Sequence, residues 1–246
     1  MRLQGRLRQV ADIRKRERNQ MFALMNRHFA NVQRAQFDAD LDEKRWAIQV
    51  VCPATGKIRG FSTQTLIEQR FEGRPILAVF SGDTIVDPGH WGQNLVAQVW
   101  TQFVFSLFDA YPYAELYWFL ISNSFRTYRY LPVFFQEFYP SFREPTPDWA
   151  VRLIDALAGP RYPTAYDSAT GVVHGHLWSG CRPRSAIAGV TPERMRDPHI
   201  EFFAERNPGY VHGDELCCIA PLTIENFTMA AQRIVGPSRE LLPVRL

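Results

Sequence analysis

The chain lacks any long apolar run, has few cysteines and almost no lysine, and each shortage excludes something. Its longest apolar stretches, such as "LYWFLI" at 116–121, fall far short of the roughly 20 residues that a bilayer-spanning helix needs, so no membrane span is expected. The opening "MRLQGRLRQV" has no apolar centre of the kind a secretory signal carries. The four cysteines, Cys52, Cys181, Cys217 and Cys218, contain no Cys-x-x-Cys pair. They read as reduced thiols of a cytoplasmic protein, not as a disulfide framework. Lysine occurs only at Lys15, Lys44 and Lys57, so 25 of the 28 basic residues are arginine, whose planar fork suits anionic ligands. No run of charge exceeds "RKRER" at 14–18 and the net charge is +3. That balance reads as a solvated helix face and leaves no footprint for nucleic acid.

What is present suffices for a sizeable core. At 246 residues, 46% of them hydrophobic, the chain is one large domain or a domain with a long extension. Asp12 is placed to cap a helix over 12–35, where Ile13, Met21, Leu24, Met25, Phe29 and Val32 recur at mostly helical spacing. The acidic "FDADLDEK" at 37–44 reads as a connector. "WAIQVVCP", the turn "ATGK" and "IRGFSTQTLI" make a hairpin, and "EQRFEGRP" leads from it to a third strand, "ILAVFSGDTIV" at 76–86. A helix over 90–111, an almost wholly apolar strand over 114–122 and a helix interrupted at Pro132 follow. Beyond about 145 the texture changes. A short helix ends at Gly159, "GVVHGHLW" reads as a strand, 191–212 is broken by prolines, "ELCCIAPLTI" reads as a last strand, and "GPSRELLPVRL" as a loose tail. The order predicts an α+β protein with a mixed, mostly antiparallel sheet flanked by helices. The strand–helix–strand run over 76–122 requires a crossover, so those two strands are expected side by side and parallel.

The most specific stretch is "FSGDTIVDPGHWGQNLVAQVW" at 80–100. A strand ends in Asp-Pro-Gly, and an apolar helical pattern begins soon after. Helix starts carry free N–H groups and a partial positive charge, and a pyrophosphate fits there.

Two stretches together resemble the GNAT superfamily, the GCN5-related N-acetyltransferases, over roughly 8–140. The family's loop reads Val-x-Pro-x-x-Arg-Gly-x-Gly-x-Gly. In this chain Val86, Pro88 and Gly92 match, whereas Trp91 replaces the arginine, Asn94 the next glycine and Val96 the last. The second stretch is the apolar strand "LYWFLIS" followed by Asn123 and, seven residues on, Tyr130. The resemblance implies a GNAT-like core over 1–145 and an extension over 146–246 that completes the sheet and caps the acceptor side. It implies that the two parallel strands splay at their C-terminal ends. It implies an acyltransferase that moves an acyl group from acyl-CoA (acetyl-CoA or longer), or from an acyl carrier protein thioester, to a small-molecule amine, with no metal. Donor contacts fall to Val86, Trp91, Gly92, Gln93, Asn94, Leu95, Val96, Asn123 and Arg126. Tyr130 is the general acid for the leaving thiolate and Asp83 takes the proton of the amine. The eroded glycine motif leaves a second class open, a non-catalytic GNAT-shaped module that binds acyl-CoA or a partner.

Further residues offer themselves. His90 opens the loop and suits a phosphate. Arg126 and Arg129 stand three apart and share a helix face. His174 and His176 would share a strand face, without an evident third metal ligand. The aromatic runs "LYWFL" and "YLPVFF" suit a long acyl chain or ordinary core packing alike.

Overall fold

The structure, a computed structural model, describes residues 2–235. The chain begins with β1 (Gln4–Gln9), α1 (Lys15–His28), β2 (Phe29–Ala30) and α2 (Arg34–Asp42). There follow β3 (Trp46–Cys52), β4 (Lys57–Phe71), β5 (Arg74–Val86), a 3-10 turn (Pro88–Gln93), α3 (Leu95–Ala110) and β6 (Glu115–Ser122). Then come α4 (Phe125–Tyr128), α5 (Tyr130–Phe134), α6 (Asp148–Ala158), β7 (Tyr166–Asp167), β8 (Val172–Val173), α7 (Gly175–Trp178), β9 (Arg182–Pro183) and α8 (Ser185–Ala188). The described chain closes with α9 (Pro198–Arg206), β10 (Glu215–Pro221) and α10 (Met229–Val235).

Among the described residues one sheet of eight strands runs β1-β3-β4-β5-β6-β10-β8-β7, and β2 pairs with β9 apart from it. Only β5 and β6 pair in parallel within the large sheet. The fold is therefore α+β with a mixed, mostly antiparallel sheet, and the C-terminal part completes it through β10, which pairs with β6.

The central strands carry apolar runs because both faces are covered there. Alternate residues divide between two cores. Leu77 and Val79 of β5, Trp118 and Leu120 of β6, and Cys218 of β10 join α3, where Trp100 and Phe103 are buried. Ile76, Ala78 and Phe80, Phe119 and Ile121, and Cys217 join α6 on the other face, with Leu153 and Leu157. The adjacent Cys217 and Cys218 thus point to opposite faces, and no disulfide joins any of the four cysteines. A third core packs α1 and α2 on Ala47, Val51 and Phe61.

The parallel pairing runs from Ile76–Glu115 to Ser81–Leu120 and then stops. Past that point β5 stays with β4 across a register shift at Ser62/Gln64, and β6 stays with β10, where Leu216 faces Ser122. The irregularity bends its strand, and the two strands part as the resemblance implies.

Several expectations are corrected. The helix over 12–35 is two helices, because Asn31 turns at a positive φ of 63° and Phe29–Ala30 pair with Arg182–Pro183. The acidic connector at 37–44 is largely α2, whose Phe37 and Leu41, four apart, are buried. The polar strand β1 was not foreseen. The helix expected from 90 begins at Leu95, after the 3-10 turn. Pro132 breaks nothing: α4 ends before Arg129, and the proline sits early in α5, where a missing N–H costs little. "GVVHGHLW" is a strand only at Val172–Val173 and then a helical turn, and the proline-broken region contains α9. The tail expected over 236–246 lies outside the described residues.

Candidate active site between the parting strands

A cavity of about 620 Å³ opens where β5 and β6 separate. Of the residues singled out in the sequence, Asp83, Val86, Trp91, Asn94, Asn123, Arg126, Arg129 and Tyr130 line it. Gly92 and Gln93 are exposed and stand off its wall. Leu95 is half-buried against the core and Val96 is buried within it, so neither side chain reaches the cavity. His90 also lies off the wall, its ring 3.3 Å from the Gln93 amide.

The approach to α3 is set by Asn94, which adopts the left-handed conformation, φ 51°, immediately before the helix. Asparagine tolerates that region better than other residues with a Cβ. It therefore serves the turn where the GNAT motif has glycine. Trp91 folds back so that its indole N–H donates to the Val86 carbonyl at 2.8 Å. Its ring is covered by the Arg126 guanidinium at 4.2 Å.

At one end the cavity is rich in charge. Asp83 lies in β5 two residues beyond the last paired position, half-buried, with no hydrogen bond from the described residues. Burial pushes its carboxyl up to about 6, against the pull of the Lys44 charge. Glu215, at the head of β10, is pushed up to about 8 by burial and by the charges of Asp83, Asp40 and Asp214. The Asn123 amide donates to Glu215 at 3.3 Å, so this residue supports the carboxylate end. Lys44 is half-buried, donates to the Asp40 carbonyl at 2.9 Å and stands 5.6 Å from the centre of the Phe80 ring. Burial lowers its pKa. Arg161 stands at 4.5 Å from the same ring and bonds Glu43 at 3.2 Å. Sequence reasoning passed over Asp40, Lys44 and Arg161, and met Glu215 only within "HGDEL" at 212–216, a run polar enough to line a pocket. The one local sign was Glu215, the sole charge opening an otherwise apolar strand.

Tyr130 opens α5 and lines the same cavity. Its ring stacks on Phe134, 5.6 Å away and 4° from parallel, and burial raises its pKa. It also borders a small apolar pocket beneath the gap, among Ala97, Trp100, Trp118 and Thr127. Tyr128, the other tyrosine nearby, is fully buried and donates its hydroxyl to the Pro140 carbonyl at 2.9 Å, away from the cavity. Arg129 pairs with Asp197. His174 and His176 do not share a strand face: His174 contacts Asp214 at 3.2 Å, and His176 is exposed on α7. Among the described residues no group of three or more His, Cys, Asp or Glu is placed to hold a metal ion.

No protein-family model matches the chain, and no curated protein matches it by sequence. Solved structures do overlap it in part. A GNAT family N-acetyltransferase, YhbS of Escherichia coli in complex with CoA, is 17% identical over 50% of this chain and 65% of its own, with a TM-score of 0.37. A probable N-acyltransferase of Enterococcus faecalis is 15% identical over 51% of this chain and 31% of its own, with a TM-score of 0.37. Glucosamine-6-phosphate N-acetyltransferase of Arabidopsis thaliana is 18% identical over 49% and 82%, with a TM-score of 0.34. The overlap thus spans about half of this chain, and less than two thirds of the first two of those proteins. The chain's own topology, a single parallel pair in a mostly antiparallel sheet, joined through a loop and α3 and parting at its C-terminal ends, is the arrangement that the sequence resemblance implies.

Proposed function

We propose that this protein transfers an acyl group from a thioester to a small-molecule amine, with the reaction in the gap between β5 and β6. One observation carries the reading. The cavity opens where the parallel pairing ends, and a carboxylate with raised pKa, Asp83, and a tyrosine, Tyr130, stand on its walls. The donor is acyl-CoA or the thioester arm of a carrier protein. The acceptor's nitrogen attacks the thioester carbonyl, the N–C bond forms, and the carbonyl oxygen takes up negative charge that a backbone N–H stabilises. Asp83 accepts the proton that the nitrogen sheds. An acid of about 6 is mostly ionised at neutral pH and still basic enough for that task. The C–S bond then breaks with its electron pair on sulfur, and Tyr130 delivers a proton to the thiolate. A phenol kept protonated by burial suits a donor of this kind. Holding both reactants in one cleft supplies much of the rate. The surplus of carboxylates near Asp83 favours a cationic acceptor, and residues from 146 onward, Arg161 and Glu215 among them, cap that side.

The test is to incubate the protein with acetyl-, octanoyl- and palmitoyl-CoA and a panel of amines, following free thiol and thermal stability together. Thiol release that depends on the amine is expected. Thermal stabilisation by acyl-CoA with no thiol release under any amine would establish the non-catalytic binding module instead.

A further inference from the structure

In the same cavity two guanidinium groups stand together without a carboxylate partner among the described residues. Arg126 of α4 is held between two rings, 4.2 Å from the centre of Trp91 and 4.4 Å from that of Phe125. Arg194, from the segment before α9, stands 5.5 Å from the same Phe125 ring. Both line the cavity beside Asn94 and Ser124. Arg126 spends one N–H on the Ile187 carbonyl at 2.6 Å, while its Nε is enclosed with no acceptor. Among the described residues neither makes an ion pair, unlike neighbouring Arg129, which takes Asp197. A half-buried guanidinium beside a second one, with an unanswered N–H, is costly unless an anion completes it. Burial lowers the Arg126 pKa, and the Arg194 charge adds to that shift. The rings fix the fork in place, and a fixed fork recognises phosphate oxygens.

We infer that Arg126 and Arg194 form an anion clamp for a phosphate on the arm of the thioester donor, so that a residue of the C-terminal extension takes up binding work that the eroded glycine loop has lost. The inference rests on the acyltransferase reading for the identity of the ligand, not for the existence of the anion site. The shared chemistry is a phosphate ester on a pantetheine arm, present both in coenzyme A and on a carrier protein.

The test measures binding by calorimetry, with no turnover needed, using coenzyme A, 4′-phosphopantetheine, pantetheine and inorganic pyrophosphate. Arg194 is exposed, so Arg194→Gln is expected to fold normally. It is expected to weaken phosphopantetheine binding about 10-fold or more, as for loss of a charge-assisted hydrogen bond, and to leave pantetheine binding unchanged. Arg126→Gln should do the same, and Arg126→Lys should recover only part of the loss because it lacks the flat fork. Equal loss for phosphopantetheine and pantetheine, or no loss for either, would overturn the clamp. Binding of pyrophosphate through the pair with no binding of pantetheine compounds would keep the anion site and overturn the acyltransferase reading. Coenzyme A binding well above phosphopantetheine would assign the phosphate to coenzyme A, and equal binding would assign it to a carrier-borne arm.

Discussion

At the scale of single residues, two tyrosines two positions apart separate rate from stability. Tyr130 faces the cavity, and no described residue accepts its hydroxyl. Tyr130→Phe keeps the ring stacked on Phe134 and removes only the O–H. Turnover is expected to fall about 10²- to 10⁴-fold, the usual loss for a general acid, with thermal melting almost unchanged. Tyr128→Phe is the converse: it leaves the Pro140 carbonyl without its donor in a buried place. Its melting temperature is expected to drop, by a free energy of about 1–3 kcal/mol, while the folded fraction keeps its turnover. Glu215 gives a pH test. Its folded pKa of about 8 lies above its ordinary 4.5, so the fold is most stable while Glu215 is protonated and loses that stability as pH rises through about 8. Glu215→Gln removes the titration. Its melting temperature relative to the wild type is expected to rise steadily between pH 4.5 and 8.5. A difference that stays flat across that range would contradict the burial ascribed to this carboxylate.

At the scale of elements, legibility followed the strength of the local pattern. The strands β3, β5, β6 and β10 announced themselves because sheets covered on both faces demand apolar runs, and their pairing followed from the crossover through α3. β1 was hidden because "QGRLRQ" is mostly polar, and it is its antiparallel pairing with β3, under the start of α3, that makes it a strand. That placement is close: a Cβ on Gly5 would stand 2.6 Å from a Val99 methyl and 3.2 Å from the Leu95 carbonyl. Gly5→Val is therefore expected to push β1 from the start of α3, at about 1–3 kcal/mol in urea unfolding. The break between α1 and α2 carried no glycine or proline, and the pairing that enforces it lies some 150 residues away. At the start of α3 the sequence displayed Asn94 as a lost glycine, whereas the backbone shows a left-handed turn that asparagine can hold. Asn94→Gly is expected to be nearly neutral and Asn94→Ala to cost about 1–2 kcal/mol. Equal stability of the two variants by denaturant melts would remove the conformational argument.

At the scale of the whole molecule, the site joins segments that no local motif connects. Asp83 and Tyr130 were visible through the resemblance, which concerns the strands that part. Lys44, Arg161, Arg194 and Glu215 come from the α2–β3 connection and from the C-terminal half, and only folding brings them to one cavity. In the proposed reaction the Arg126–Arg194 pair takes the donor's phosphate, and Asp83, with Lys44 and Arg161 on the same cavity wall, serves the acceptor. The most direct measurement is a crystal structure with coenzyme A bound. The predicted result is the pantetheine arm between β5 and β6 beyond Ser81 and Leu120, its sulfur within hydrogen-bond reach of the Tyr130 hydroxyl and its phosphates toward Arg126. Coenzyme A bound outside that gap, or its sulfur on the far side of the sheet from Tyr130, would contradict the account.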